Sequence, residues 1–144
     1  MVVVPDSVLP LFLAAGWYSN RRVVVCFDRL ASLRSYSMAA ELLETLGGLH
    51  IGTCGPGRHC ATSDIEFTLS PSIDHRYAVG EMETPGDDLF PLGEAHKRHM
   101  ELFLDARGRL MVYGVQDGSL SVRGDSFAEG IERMLLGQLA KDCA

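Results

Sequence analysis

The chain has no apolar run approaching the roughly 20 consecutive residues that a membrane-spanning helix requires, although it is 144 residues long and 47% hydrophobic. No Lys or Arg precedes Arg21, and Asp6 and Pro10 interrupt the apolar opening MVVVPDSVLPLFLAAGW. A secretion signal needs a basic start and an unbroken apolar stretch, so this segment reads as a folded first helix and the protein as cytoplasmic. Basic residues are scarce: 13 Lys and Arg stand against 19 Asp and Glu, a net charge of −6. Nucleic-acid binding needs a basic face that displaces counterions, so direct contact with nucleic acid is excluded and a basic protein partner fits better. The chain also lacks a Walker loop, a zinc-protease histidine pair and a deaminase motif.

What remains is ordinary globular composition, with 22% charged residues. A chain of this length buries roughly 70% of the surface its unfolded form exposes, and residues 1–144 read as one domain with one core. Four cysteines, Cys26, Cys54, Cys60 and Cys143, read as free thiols of a reducing compartment.

Periodicity gives the element order. Pro5, Asp6 and Ser7 open a helix whose stripe is Val8, Leu9, Phe12 and Leu13, ended by Gly16, with Trp17 and Tyr18 at the corner. Val24, Phe27, Leu30 and Leu33 recur every third residue and predict a second short helix. Ser37 can cap a third helix buried through Met38, Leu42, Leu43 and Leu46, which Gly47 and Gly48 stop. The period then becomes two: LHI is a short strand, TCGPGRHCAT a loop, and DIEFTLS a half-buried strand through Ile65, Phe67 and Leu69. MELFLDA and RLMVYGV form a hairpin around ARG, with Gly108 free to take positive φ, and SLSVR is a further strand. Ser126 and Glu129 stand at capping-box spacing before an amphipathic helix through Phe127, Ile131, Met134, Leu135 and Leu139. Helices, then a mostly antiparallel sheet, then a closing helix make an α+β fold.

Three groups of residues invite a chemical reading. Glu94, His96, Lys97, Arg98 and His99 crowd the stretch between a PLG turn and the strand MELFLDA, where they read as a solvated strand start, because no other residue points at these histidines as an acid or base. Ser126 lies in GDSF, which resembles a lipase-like nucleophile block, yet no histidine follows His99 to activate it, and capping accounts for it. His50, Cys54, His59 and Cys60 fall within eleven residues but without the paired spacing of a zinc site. No catalytic residue, metal or cofactor is expected.

Charge distribution carries the functional expectation. Glu81, Glu83, Asp87, Asp88 and Glu94 lie in one stretch without Lys or Arg, beside Leu89 and Phe90, which read as exposed. Acidic residues around an apolar anchor form a docking surface for a basic protein, with Glu81, Glu83, Asp87, Asp88, Phe90 and Glu94 as the candidate contacts.

The blocks AAGWYSNRRV, AAELLETLGGLHI, DIEFTLSP, PLGEA, LFLDARGRLMVYG and VRGDSFAEGIERMLLG, in this order, cover most of the chain. In them the sequence resembles the third SUKH group of immunity proteins. The resemblance implies a bacterial α+β protein that neutralises a cognate toxin domain, possibly a nuclease, by stoichiometric binding and without catalysis. A regulatory or scaffolding module of the same superfamily is the alternative it leaves. It makes Gly16, Trp17, Gly47, Gly48, Pro91, Gly93 and Gly108 structural signature positions. The Cys54, His59, Cys60 loop and the HKRH run depart from the pattern and are where specificity for one partner would lie.

Overall fold

The computed structural model describes residues 4–26, 36–71, 89–116 and 118–138. Two helices, α1 (Leu9–Ala14) and α2 (Tyr36–Leu46), precede six strands, β1 (His50–Ile51), β2 (Ile65–Phe67), β3 (Phe90–Ala95), β4 (Met100–Leu104), β5 (Leu110–Gly114) and β6 (Leu120–Gly124), and α3 (Phe127–Leu136) closes the chain. The strands form one antiparallel sheet in sequence order, β1-β2-β3-β4-β5-β6. This is the expected α+β architecture.

The helices cover one face. Leu42, Leu43 and Leu46 of α2 and Ile131, Met134 and Leu135 of α3 join Ile65, Phe67, Leu102, Leu104, Leu110 and Val112 of the sheet in one buried cluster. Truncating any one large member to Ala would cost about 2–5 kcal/mol, because a packed core closes only partly over the gap. Strand alternation puts Leu89, Phe103 and Tyr113 in a second, smaller cluster on the far face.

Local chemistry explains the helix ends. Ser126 caps α3 by accepting from the Glu129 amide at 3.2 Å, and Gly137 ends the helix at φ 67°. The stripe Phe127, Ile131, Met134 and Leu135 is buried as the spacing requires, while Leu139 lies outside the described residues. At the end of α2, Gly48 takes φ 83°. Arg21 adds what periodicity does not show: its guanidinium donates to the carbonyls of Thr45 at 2.7 Å and Gly47 at 2.9 Å, two of the free acceptors that end a helix.

Several expectations need correction. Residues 21–26 are not helical and form no regular element; the Val23 amide donates to the Glu44 carbonyl and the Cys26 amide to the Leu69 carbonyl, and Val24 is 94% exposed. The three-residue recurrence that predicted a helix there is short, and Arg21 is pinned to α2 instead; its remainder, residues 27–35, lies outside the described residues. In α1, Leu13 is exposed and Val8 occupies the capping position, so the buried stripe reduces to Val8 and Phe12. Ser37 lies inside α2, and Met38 is exposed. Leu69 is exposed because β2 ends at Phe67. PLG is no turn: Pro91, Leu92 and Gly93 run within β3 across a bulge. Leu89 and Phe90 are buried, at 2% and 0% exposure, with the Phe90 ring 6.2 Å from that of Tyr36. Phe90 is therefore a core residue and no contact for a partner.

Candidate functional site: the far face of the sheet

Residues directly opposite one another in neighbouring strands point to the same side of a sheet. The register pairs His50 with Glu66, Glu66 with Glu94, Glu94 with Glu101, and Glu101 with Tyr113. A single row therefore crosses these five strands and continues through Tyr113 to Leu120 of β6, on the face turned away from the helices, with glutamates at its β2, β3 and β4 positions. Like charges opposite one another oppose sheet formation, so folding stability alone does not select this row.

A second row runs beside it: Pro91 opposite Phe103, Phe103 opposite Met111, and Met111 opposite Val122. Phe103 is buried, Met111 half-buried and Val122 exposed. Between the rows a pocket of about 230 Å³ is lined by Glu66, Glu94, Glu101, Arg98, Pro91 and Phe103, among others. Arg98 partly offsets the acidic row. Its Nε donates to Glu66 Oε2 at 3.1 Å, and the hydrogen bond with Glu66 and the charges of Glu66 and Glu94 hold the guanidinium above its ordinary pKa.

The backbone makes room for this arrangement at Gly93. A Cβ there would stand 2.0 Å from the Glu66 carbonyl oxygen, and φ is 155°. Only glycine lets β3 approach β2 so closely beside the bulge. Gly16 and Gly108 take positive φ, a Cβ on Gly47 would meet the Leu43 carbonyl at 2.6 Å, and Trp17 packs edge-on against Phe12.

The charged run at 94–99 divides. Glu94 belongs to β3, and His96, Lys97 and Arg98 form the β3–β4 turn with φ of 53°, 53° and 68°. Non-glycine residues pay for left-handed backbone, and Asp64 supports the turn. Its backbone carbonyl accepts from the His96 amide at 2.9 Å, and its Oδ1 accepts from the Lys97 amide at 2.7 Å and from Cys54 Sγ at 3.3 Å. Its Oδ2 lies 2.6 Å from His50 Nε2. Burial pushes the Asp64 carboxyl up, but the donors from Lys97, His50 and Cys54 outweigh it and hold the group below its ordinary value.

The Cys54 loop and the turn that carries His96 are thereby in contact. His96 Nδ1 lies 3.2 Å from Ser63 Oγ and 3.8 Å from Cys54 Sγ. His59 and Cys60 serve another end: their amides donate to the Gly137 carbonyl at 2.8 and 3.0 Å, closing the C-terminus of α3. Cys26, Cys54 and Cys60 are free. His50, Asp64 and Glu66 bring donor atoms within 4.8 Å of one another, close enough to share a cation. Each already has a partner, Glu66 in Arg98 and Asp64 in His50 and the Lys97 amide.

Of the expected contacts, the structure places Glu94 in the acidic row, and Glu81, Glu83, Asp87 and Asp88 lie outside the described residues. Glu66 and Glu101 were missed. Both stand at polar positions of alternating strands, in DIEF and MELF, and this was the available signal, but their meeting depends on strand register.

No helix among the described residues is long and apolar enough to cross a membrane. No curated protein and no solved structure matches the chain. A family model, described as SUKH-3 immunity protein, matches residues 4–137. The chain belongs to the SUKH-3 immunity protein family.

Proposed function

We propose that this protein neutralises a basic toxin domain by stoichiometric binding, with no catalysis of its own, and that the far face of the sheet is the surface it applies to the toxin. The carrying observation is the row Glu66, Glu94 and Glu101, three like charges held opposite one another beside the half-buried Met111 and the exposed Val122. Family membership supports a toxin as the partner. The row supports a partner of positive charge, for which acidic complementarity speeds encounter and fixes orientation while apolar contacts slow dissociation. Glu81, Glu83, Asp87 and Asp88, expected from the sequence as contacts, remain candidate contacts in this reading. A basic nuclease is the toxin class that suits it best.

The test is survival of a bacterial host expressing the toxin domain encoded beside this gene, with the parent protein, with Glu94→Lys, or with Asp87→Lys combined with Asp88→Lys. Rescue by the parent and its loss in folded variants supports the reading. Rescue by all three removes the acidic face and leaves toxin binding, and rescue by none removes this toxin as the partner.

A further inference from the structure

At the β1 edge of the sheet three side chains converge. His50 of β1 stands directly opposite Glu66 of β2, and Asp64 immediately precedes that strand. Asp64 Oδ2 is 2.6 Å from His50 Nε2, Glu66 Oε1 is 3.7 Å from His50 Nδ1, and one donor atom from each residue lies within 4.8 Å of the other two. Metal–ligand bonds of about 2.0–2.1 Å put two ligands of a tetrahedral zinc ion about 3.3 Å apart. The observed separations bracket that value, and the His50 side chain, 55% exposed, is free to rotate until one ring nitrogen meets it.

The oxygens that an ion would not use are already held. Asp64 Oδ1 accepts from the Lys97 amide at 2.7 Å and from Cys54 Sγ at 3.3 Å, and Glu66 Oε2 accepts from Arg98 Nε at 3.1 Å. Hydrogen bonds on the far oxygen are what orients a ligating carboxylate. They leave Asp64 Oδ2 and Glu66 Oε1 turned toward the same imidazole. Charge favours a cation as well. Glu94 stands directly opposite Glu66 in β3, so three carboxylates gather in this corner. Among the described residues Arg98 is the only Lys or Arg that forms an ion pair with any of them. Three carboxylates against one guanidinium leave a surplus of two negative charges, which a divalent ion balances.

The geometry points to a divalent transition-metal site of zinc type, formed by His50, Asp64 and Glu66. One imidazole nitrogen with two carboxylate oxygens suits zinc and its neighbours, whereas magnesium and calcium take oxygen ligands. Water completes the coordination on the exposed side of His50, which is also the path of entry. Spacing along the chain offers His50 only Cys54, His59 and Cys60 as neighbours; the fold offers it carboxylates instead. Because β1 is only two residues long, an ion bound to both His50 and Glu66 clips this outer strand to β2. The site goes beyond the toxin-binding reading and shares only Glu66 with the acidic row.

The test uses the full ¹⁵N-labelled chain, stripped of metal with a chelator and titrated with Zn²⁺ alone while the imidazole nitrogens are followed by NMR. One equivalent of Zn²⁺ shifts the His50 ring nitrogens saturably, and His50→Ala and Glu66→Gln each weaken binding at least about tenfold. Mg²⁺ at the same concentrations leaves these nitrogens unmoved. At a hundredfold excess over Kd, Zn²⁺ raises the melting temperature of the parent by about 5–10 °C and leaves that of His50→Ala unchanged. Zinc binding that does not move the His50 nitrogens belongs to the cysteine thiols or to another histidine, and it overturns the site. Absence of saturable binding, undiminished affinity in either variant, or equal binding of Mg²⁺ overturns it too.

Discussion

Replacing Glu94 by Gln separates the two opposed effects of the acidic row. Glu94 is the middle glutamate, with Glu66 and Glu101 directly opposite it in the flanking strands. Each like-charged cross-strand pair costs about 0.2–1 kcal/mol. Removing the middle charge relieves two such pairs and gives up only a screened attraction to the exposed Arg98, so the net gain is about 0.5–1 kcal/mol. With a urea slope of about 2 kcal/mol/M, the unfolding midpoint rises by roughly 0.3–0.5 M. Urea is the right denaturant because a guanidinium salt would screen the repulsion being measured. In 1 M NaCl, where the screening length is about 3 Å, the gain shrinks toward zero. The same variant associates more slowly with the toxin, and its rate loses part of its salt dependence. A variant both more stable and slower to bind marks a residue kept for its partner and not for the fold. A midpoint that falls, or a gain that persists in 1 M NaCl, refutes the cross-strand repulsion. An unchanged association rate refutes the role of the row in binding.

Two further perturbations test the frame around that row. The Asp64 carboxyl lies below its ordinary pKa in the folded protein, so its contribution is fully present above the unfolded value of about 3.9 and is lost as pH falls through the lower folded value. Asp64→Asn, which deprives His50 and Cys54 of a charged acceptor, therefore costs about 2 kcal/mol near neutral pH, and its urea midpoint converges on that of the parent as pH falls from 5 to 2 by single-unit steps; a constant gap across that range contradicts the assignment. Gly93→Ala forces a methyl group against the Glu66 carbonyl at 2.0 Å, where backbone stands on both sides. It costs about 3 kcal/mol or more and dislodges β3 from β2, so its amide exchange in β2 and β3 rises above that in β4 and β5, and uniform protection across the sheet rules the close approach out.

The local grammar of the chain was legible. Ser126 and Glu129 announced the start of α3 because a cap is written within four residues, and Gly108 announced positive φ because the conformation is a property of one residue. Ile65, Phe67, Leu102 and Leu104 fell on the core face because alternation fixes sidedness once a strand is recognised. Residues 24–26 were misread as the start of a helix because three-residue recurrence over so short a span carries little information, while the hydrogen bonds from Arg21 to Thr45 and Gly47 that tie the preceding chain to α2 reach more than twenty residues along the sequence. Leu89 and Phe90 were misread for a related reason: acidic neighbours imply exposure only where no second layer covers the strand.

The candidate site shows the same division. Glu94 could be singled out from the run of acids around it, but its companions Glu66 and Glu101 stand 28 residues before and 7 after it. They meet because β2, β3 and β4 pair in one particular register, and a slip of a single residue would send each to the core side. Likewise the His96 turn and the Cys54 loop, two separate oddities in the sequence, become one cluster only through Asp64. The sequence by itself determined the α3 cap and its buried stripe, the β4–β5 hairpin and the acidic balance, since these rest on contacts within a few residues. Which glutamates share a face and that Phe90 is core were decided only by the tertiary structure, because each depends on pairing between distant segments whose register no local pattern encodes.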